Sequence, residues 1–172
     1  MIGSICFLIA GLTIFFAIKI ASVKAIADEV PAITEPCGLT VEELADATGG
    51  NLAQYADWFL QGERMTDDGE TCVNALFLAS IAKLESGDGK SRLAVNRNNL
   101  FGWRGKDGWK SFGTPETCIL FVADRIKRNY VDKGYTTIDL IGSRYCPGDD
   151  GEWGRLVSGI YFKMNKGGVY GD

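Results

Sequence analysis

The chain has 172 residues, room for one ordinary domain, with 18 basic and 22 acidic side chains and a formal net charge of −4. A charge of that size, mixed along the chain without a basic stripe, argues against nucleic acid as a partner. Histidine is absent, which excludes a histidine-containing zinc site and a Cys–His nucleophilic pair; acid–base work near neutral pH falls to carboxylates, tyrosine or lysine.

From Ile2 to Ile18 the sequence is uncharged and mostly bulky apolar, and Ala25-Ile26-Ala27 reads as a small-x-small cleavage site. Two readings fit residues 1–27: a secretory signal peptide cut after Ala27, or an uncleaved membrane anchor near the short end of what spans a bilayer. No Lys or Arg precedes the apolar run, which leaves the choice open; either way the remainder is expected to be exported. Losing Lys19 and Lys24 leaves 16 basic against 22 acidic side chains, a net −6. Of five cysteines, Cys6 lies in the apolar segment, and Cys37, Cys72, Cys118 and Cys146 lie in the body. An even number in an oxidising compartment predicts two disulfides. Among the three possible pairings, Cys37–Cys72 with Cys118–Cys146 joins sequence neighbours. With no C-x-x-C pair and no histidine, no metal site and no cofactor are expected.

Residues 28–39 (DEVPAITEPCGL) read as a linker, acidic and punctuated by proline, leading into a domain over 40–172. Thr40 and Glu43 have the spacing of a capping box opening a short helix. Leu52, Tyr55, Ala56 and Phe59 then fall at helical spacing, and Thr66 to Thr71 reads as a loop. Asn74 to Ser86 is the predicted central helix, with Phe77, Ile81 and Leu84 in one stripe and glycines 87 and 89 ending it. Leu100 to Phe112 (LFGWRGKDGWKSF) reads as a β-hairpin turning at Gly105-Lys106-Asp107-Gly108. Thr114 and Pro115 fit the N-cap and first position of a helix with apolar face Ile119, Val122, Ala123, Ile126 and Tyr130. Its Asp124, Arg125, Lys127 and Arg128 read as a solvated face. A shorter helix at Ile138 to Ile141 precedes Arg144-Tyr145-Cys146-Pro147. The last helix carries Trp153, Leu156, Val157, Ile160, Tyr161 and Met164, read as core. The fold class expected is mainly α (α+β): a helical domain with a small β-hairpin lobe, and a cleft between the two.

Glu85 is the informative carboxylate. It lies four residues after Ile81 and seven after Leu78, so it continues an apolar helix face. Desolvation there raises a carboxyl pKa, and the negative end of the helix dipole works in the same direction. A proton retained near neutral pH is what a general acid for glycosidic-bond cleavage needs. On periodicity alone, a glutamate reaching solvent at a helix end fits equally well.

The run FLASIAKLESGDGKS followed by NNLFGWRG resembles the catalytic region of the bacterial endo-β-N-acetylglucosaminidase family, the lysozyme-like domain of autolysins, phage lysins and flagellar rod hydrolases. The resemblance spans about Leu52 to Met164 and is densest from Asn74 to Gly102. It implies a lysozyme-like fold, peptidoglycan glycan strands as the partner, a monomer, and Glu85 as general acid. Ser86, Gly87, Gly89 and Ser91 would shape the turn after it. Asn98 and Asn99 would hold the cleft wall as part of the substrate-binding set, with Phe101, Trp103 and Trp109. Aromatic faces on a hairpin rim also suit stacking on pyranose rings, although hairpin packing explains Trp103 and Trp109 equally well and Phe101 better. Tyr145 falls where the family places a tyrosine near the cleft floor, able to contact an N-acetyl group or orient water.

Two departures from the family stand out. Asp88 occupies a position often held by an aromatic, and no obvious second carboxylate follows Glu85. Two-carboxylate hydrolysis needs a partner about 5 to 9.5 Å away, and between Glu85 and the next helix the choices are Asp88, Asp107 and Glu116. Asp107 is the catalytic candidate among them, although Asp is common in turns; water held by Tyr145 or the substrate's own 2-acetamido group are the alternatives. The sequence thus leads to an exported peptidoglycan glycosidase, in the cell wall or extracellular space or anchored to the outer face of the cytoplasmic membrane. Muramidase or lytic transglycosylase action in a secretion or conjugation apparatus, and a wall-binding protein without activity, are the competing readings.

Overall fold

The computed structural model describes residues 32–167. The segment read as a signal peptide or anchor lies outside them, and no helix among the described residues is long and apolar enough to cross a membrane. The helices are α1 (Val41–Thr48), α2 (Ala56–Thr66), α3 (Ala75–Ser86), α4 (Arg92–Arg97), α5 (Pro115–Asn129), α6 (Ile138–Tyr145) and α7 (Glu152–Gly167). Short 3-10 turns cover Gly50–Tyr55 and Val131–Lys133, and β1 (Arg104–Gly105) pairs antiparallel with β2 (Gly108–Trp109). The mainly helical class with a small hairpin is as expected.

Helix α3 is the axis of the fold. Every residue from Ala75 to Ala82 is buried, so the helix is apolar all round rather than striped, the pattern of an element enclosed by others. It packs against α2 and α7, and α2 packs in turn on α5. Its first turn is fixed from two directions. Asn74 accepts from the Phe77 N–H at 3.1 Å. The buried Glu63 of α2 accepts from the Ala75 N–H at 2.7 Å and the Cys37 N–H at 2.9 Å. A carboxylate at a helix N-terminus meets unpaired N–H groups and the positive end of the dipole.

Residues 32–39 are more closely tied to the body than a linker would be. Ile33 is a core residue, 2% exposed, the Asn74 N–H donates to its carbonyl at 3.0 Å, and the Cys72 N–H donates to the Thr34 carbonyl at 2.9 Å. The predicted capping box at Thr40 forms, as does the Thr114 cap with Pro115 in the first turn. Helix α4 was not anticipated, and the segment 50–55 is 3-10 rather than α. Lys127, expected on a solvated face, is buried and pairs with Asp68 at 2.6 Å and with Asp132.

The disulfide expectation is corrected: Cys37, Cys72, Cys118 and Cys146 are free thiols. The Cys37 thiol donates to Glu63 at 3.9 Å. Burial pushes the Cys37 thiol up to about 11, and those of Cys72 and Cys118 up to about 12, so they stay protonated and inert as nucleophiles.

Candidate active site

Helix α3 ends at Gly87, whose φ of 56° is the left-handed conformation that stops a helix without steric cost. The turn beyond is built as the sequence indicated. The Ser86 hydroxyl donates to the Ala82 carbonyl at 2.6 Å and accepts from the Gly89 N–H at 2.7 Å, and Ser91 caps α4. Asp88 faces away from the groove described below. It accepts from Lys83 at 2.8 Å and from the Asn51 N–H at 3.0 Å, tying this turn to the segment after α1.

Glu85, the last residue but one of α3, opens into a groove of about 410 Å³. Trp103, Arg104 and Trp109 of the hairpin line it with Glu85, as do Phe101, Gly102, Tyr130, Tyr145 and Cys146. Glu85 is the one carboxylate among these lining residues.

The two oxygens of Glu85 have different surroundings. Oε1 accepts from the indole N–H of Trp153 at 2.7 Å. Oε2 faces Gly102, where a Cβ would stand 3.4 Å away, and the φ of 59° there also favours glycine. With Oε1 taken up by the indole N–H, Oε2 is the oxygen left to carry a proton towards the groove. Burial raises the pKa of Glu85, and the Trp153 N–H offsets part of that rise by favouring the ionised form.

Tyr145 stacks on Trp153, with centroids 4.7 Å apart and an interplanar angle of 26°. Its hydroxyl donates to the Phe101 carbonyl at 3.2 Å. Burial, and then the Glu85 carboxylate, hold this phenol well above its ordinary pKa, so it is a neutral donor tying the groove floor together rather than a base. Cys146 also lines the groove; burial and the neighbouring Asp149 raise its thiol pKa, which removes it as a nucleophile.

Asn98 and Asn99, expected to hold the cleft wall within the substrate-binding set, bond to the backbone at the base of the hairpin. Asn99 is 0% exposed, and its amide clamps the base of the hairpin. Nδ2 donates to the carbonyls of Trp103 and Lys110, both at 2.9 Å, and Oδ1 accepts from the Trp103 N–H at 2.8 Å. Asn98, at φ 49°, donates to the carbonyls of Phe112 at 3.1 Å and Gly113 at 3.0 Å. These bonds, with one from Arg97 to the Trp109 carbonyl at 2.8 Å, hold a hairpin whose own strands are two residues each. Phe101 is buried packing, 1% exposed. Trp103 lines the groove and meets Phe121 edge-on at 5.4 Å, and Trp109 is 47% exposed beside it. Asp107 was the candidate for the carboxylate partner. It is exposed in the hairpin turn and is not among the groove-lining residues.

Sequence reasoning missed the second role of Trp153. Its helical spacing indicated core, and it is core at 5% exposed, yet its one polar atom is aimed at Glu85. Buried Trp N–H groups find partners, and that was the available signal.

The family described as Mannosyl-glycoprotein endo-beta-N-acetylglucosaminidase matches residues 67–166. The chain belongs to this glucosaminidase family. Two curated relatives of the family match over 101 residues at 32% identity, each named putative endo-beta-N-acetylglucosaminidase, from two strains of Streptococcus pneumoniae. The matched stretch is 55% of this chain but 15% and 14% of those proteins, so this glucosaminidase-family chain spans a small part of their length. Among solved structures, S. aureus autolysin E in complex with the muropeptide NAM-L-ALA-D-iGLU has the same fold. Its TM-score is 0.64 at 21% identity, covering 78% of this chain and 70% of that one. A catalytic mutant of that autolysin in complex with the disaccharide NAG-NAM matches with the same TM-score and coverage.

Proposed function

We propose that this glucosaminidase-family chain hydrolyses β-1,4-glycosidic bonds of the peptidoglycan glycan strand at the N-acetylglucosaminyl linkage, with Glu85 as general acid. The observation that carries the reading is the carboxyl itself. It is desolvated, held by Trp153 through one oxygen, and open through the other to a groove walled by Trp103, Trp109 and Tyr145. The NAG-NAM disaccharide held by the structurally similar autolysin supports the substrate class.

In the proposed reaction the Oε2 proton passes to the leaving glycosidic oxygen as its bond to C1 breaks. Glu85 is the sole carboxylate lining the groove, so the acetamido carbonyl oxygen of the N-acetylglucosaminyl ring forms the new bond to C1. Water then attacks C1, releases the acetamido group and returns a proton to Glu85, which acts as the base in this second step. Trp103 and Trp109 stack on sugar faces, and Tyr145 keeps the floor in place. With residues 1–27 read as an export signal or anchor, this chemistry belongs outside the cytoplasmic membrane.

Digestion of purified cell walls with the wild type and with Glu85→Gln tests the reading. N-acetylglucosamine at the reducing ends of the products, seen by mass spectrometry, and no release by Glu85→Gln are expected. Reducing N-acetylmuramic acid would instead make the protein a muramidase, and a 1,6-anhydro product a lytic transglycosylase. Binding without release by the wild type would make it a wall-binding protein.

A further inference from the structure

Arg104 is the one cation among the residues lining the groove. Its position is fixed by the hairpin: Arg104 is the direct cross-strand partner of Trp109, and its guanidinium lies over that indole, 5.4 Å from the ring centroid. Cross-strand neighbours and cation–π contact restrict a side chain that is otherwise free to swing. None of the ion pairs among the described residues involves Arg104. Glu85, the one carboxylate among the lining residues, gives its Oε1 to the Trp153 N–H instead. The groove therefore presents a stacking face and an unneutralised guanidinium side by side, within one lining surface.

That pairing is superfluous for a plain polymer of N-acetylglucosamine, which carries no charge. It suits a glycan in which a ring to be stacked is accompanied by a carboxylate, because a guanidinium fork matches carboxylate geometry. We infer that Arg104 is a specificity-determining residue that recognises a carboxylate borne by the substituent on alternate sugars of the strand. Two sources supply that chemistry: the lactyl carboxylate of a strand stripped of peptide, and a free carboxylate of the stem peptide. The inference rests on the glycan-strand reading above, and it concerns binding rather than cleavage.

Binding to the Glu85→Gln protein, followed by calorimetry, separates the two claims. The probes are the disaccharide with a free lactyl group, the same disaccharide bearing a dipeptide, that dipeptide ligand with its carboxylates converted to methylamides, and the N-acetylglucosamine tetramer. Adding Arg104→Gln should lower the preference for carboxylate ligands over the tetramer about 2- to 5-fold, the scale of one exposed charge-assisted contact. Arg104→Lys, which keeps the charge without the fork, should fall between, and the methylamide should bind as weakly to either protein. Loss confined to the lactyl ligand or to the dipeptide ligand identifies the source. An unchanged preference ratio in Arg104→Gln, whether because all probes weaken together or because none weakens, overturns the inference, as does failure of every carboxylate ligand to bind. A wild type that binds with this dependence but releases nothing from walls overturns the hydrolase reading and leaves the Arg104 inference standing.

Discussion

Asn99→Asp is a change of one side-chain atom at a site where the geometry fixes the outcome. The carboxylate keeps an acceptor for the Trp103 N–H, but it replaces the NH₂ that donates to the Trp103 and Lys110 carbonyls at 2.9 Å each. Two donations become oxygen facing oxygen, at a position 0% exposed. Each lost hydrogen bond costs about 1 kcal/mol, and burying an ionised group without donors adds at least as much, so a loss of about 3 kcal/mol is expected. For a domain of this size that is roughly 10 °C in Tm. Asn99→Ala removes all three bonds without adding a charge and should lose less. The introduced carboxyl is disfavoured when ionised, so its folded pKa lies above its unfolded one. The penalty is therefore full at neutral pH and shrinks as pH falls through the folded pKa, where the protonated group donates again. Melting curves of wild type, Asn99→Ala and Asn99→Asp followed by circular dichroism from neutral to mildly acidic pH measure this. If Asn99→Asp melts within about 2 °C of wild type at neutral pH, or gains nothing on Asn99→Ala in acid, the clamp is not what holds the hairpin.

Three further changes probe the acid and its setting. Trp153→Phe removes the N–H that favours ionised Glu85, so the alkaline limb of the rate profile should move to higher pH while kcat falls; a limb that moves down or stays would contradict the assigned hydrogen bond. Gly102→Ala places a methyl 3.4 Å from Oε2 at a φ of 59°, and should cost about 1 kcal/mol of stability but at least tenfold in kcat, read as Tm against turnover. Glu85→Gln should melt higher than wild type at neutral pH. The raised pKa of Glu85 means that its stabilising protonated form is complete below the unfolded carboxylate range and is lost as pH rises through the folded value. The gap in Tm should therefore close on acidification, and a gap independent of pH would argue against desolvation as the cause.

What the sequence made legible was whatever announces itself by periodicity or cap chemistry. Glu85 followed from the apolar face before it, and the Thr40 and Thr114 caps from three-residue spacings. Helix α4 escaped because Ala94 is its one buried residue, which leaves no apolar stripe to find. The hairpin was anticipated over thirteen residues and has a ladder of two residues per strand, because its aromatic arms are fixed by Asn98, Asn99 and Arg97 rather than by strand pairing. Asn99 was expected both to hold the cleft wall and to belong to the substrate-binding set, and its hydrogen bonds are those of the wall. A polar side chain in a cleft wall looks alike in sequence whether it faces a ligand or the backbone behind it. Which hairpin residues line the groove with Glu85, and the aim of the Trp153 N–H, are set by tertiary packing and carry no local pattern.

A ladder so short has a consequence for how this architecture can vary. The hairpin's conformation is imposed at its base, by side chains outside its strands, while Lys106 and Asp107 at the tip are exposed. Residues can be added at the tip, or exchanged at Arg104 and Trp109, without disturbing the amide clamp or the carboxyl beneath it. The lobe thus behaves as a replaceable cover over a fixed Glu85, so lengthening or redecorating it changes what the groove can hold while leaving the carboxyl and its Trp153 contact in place.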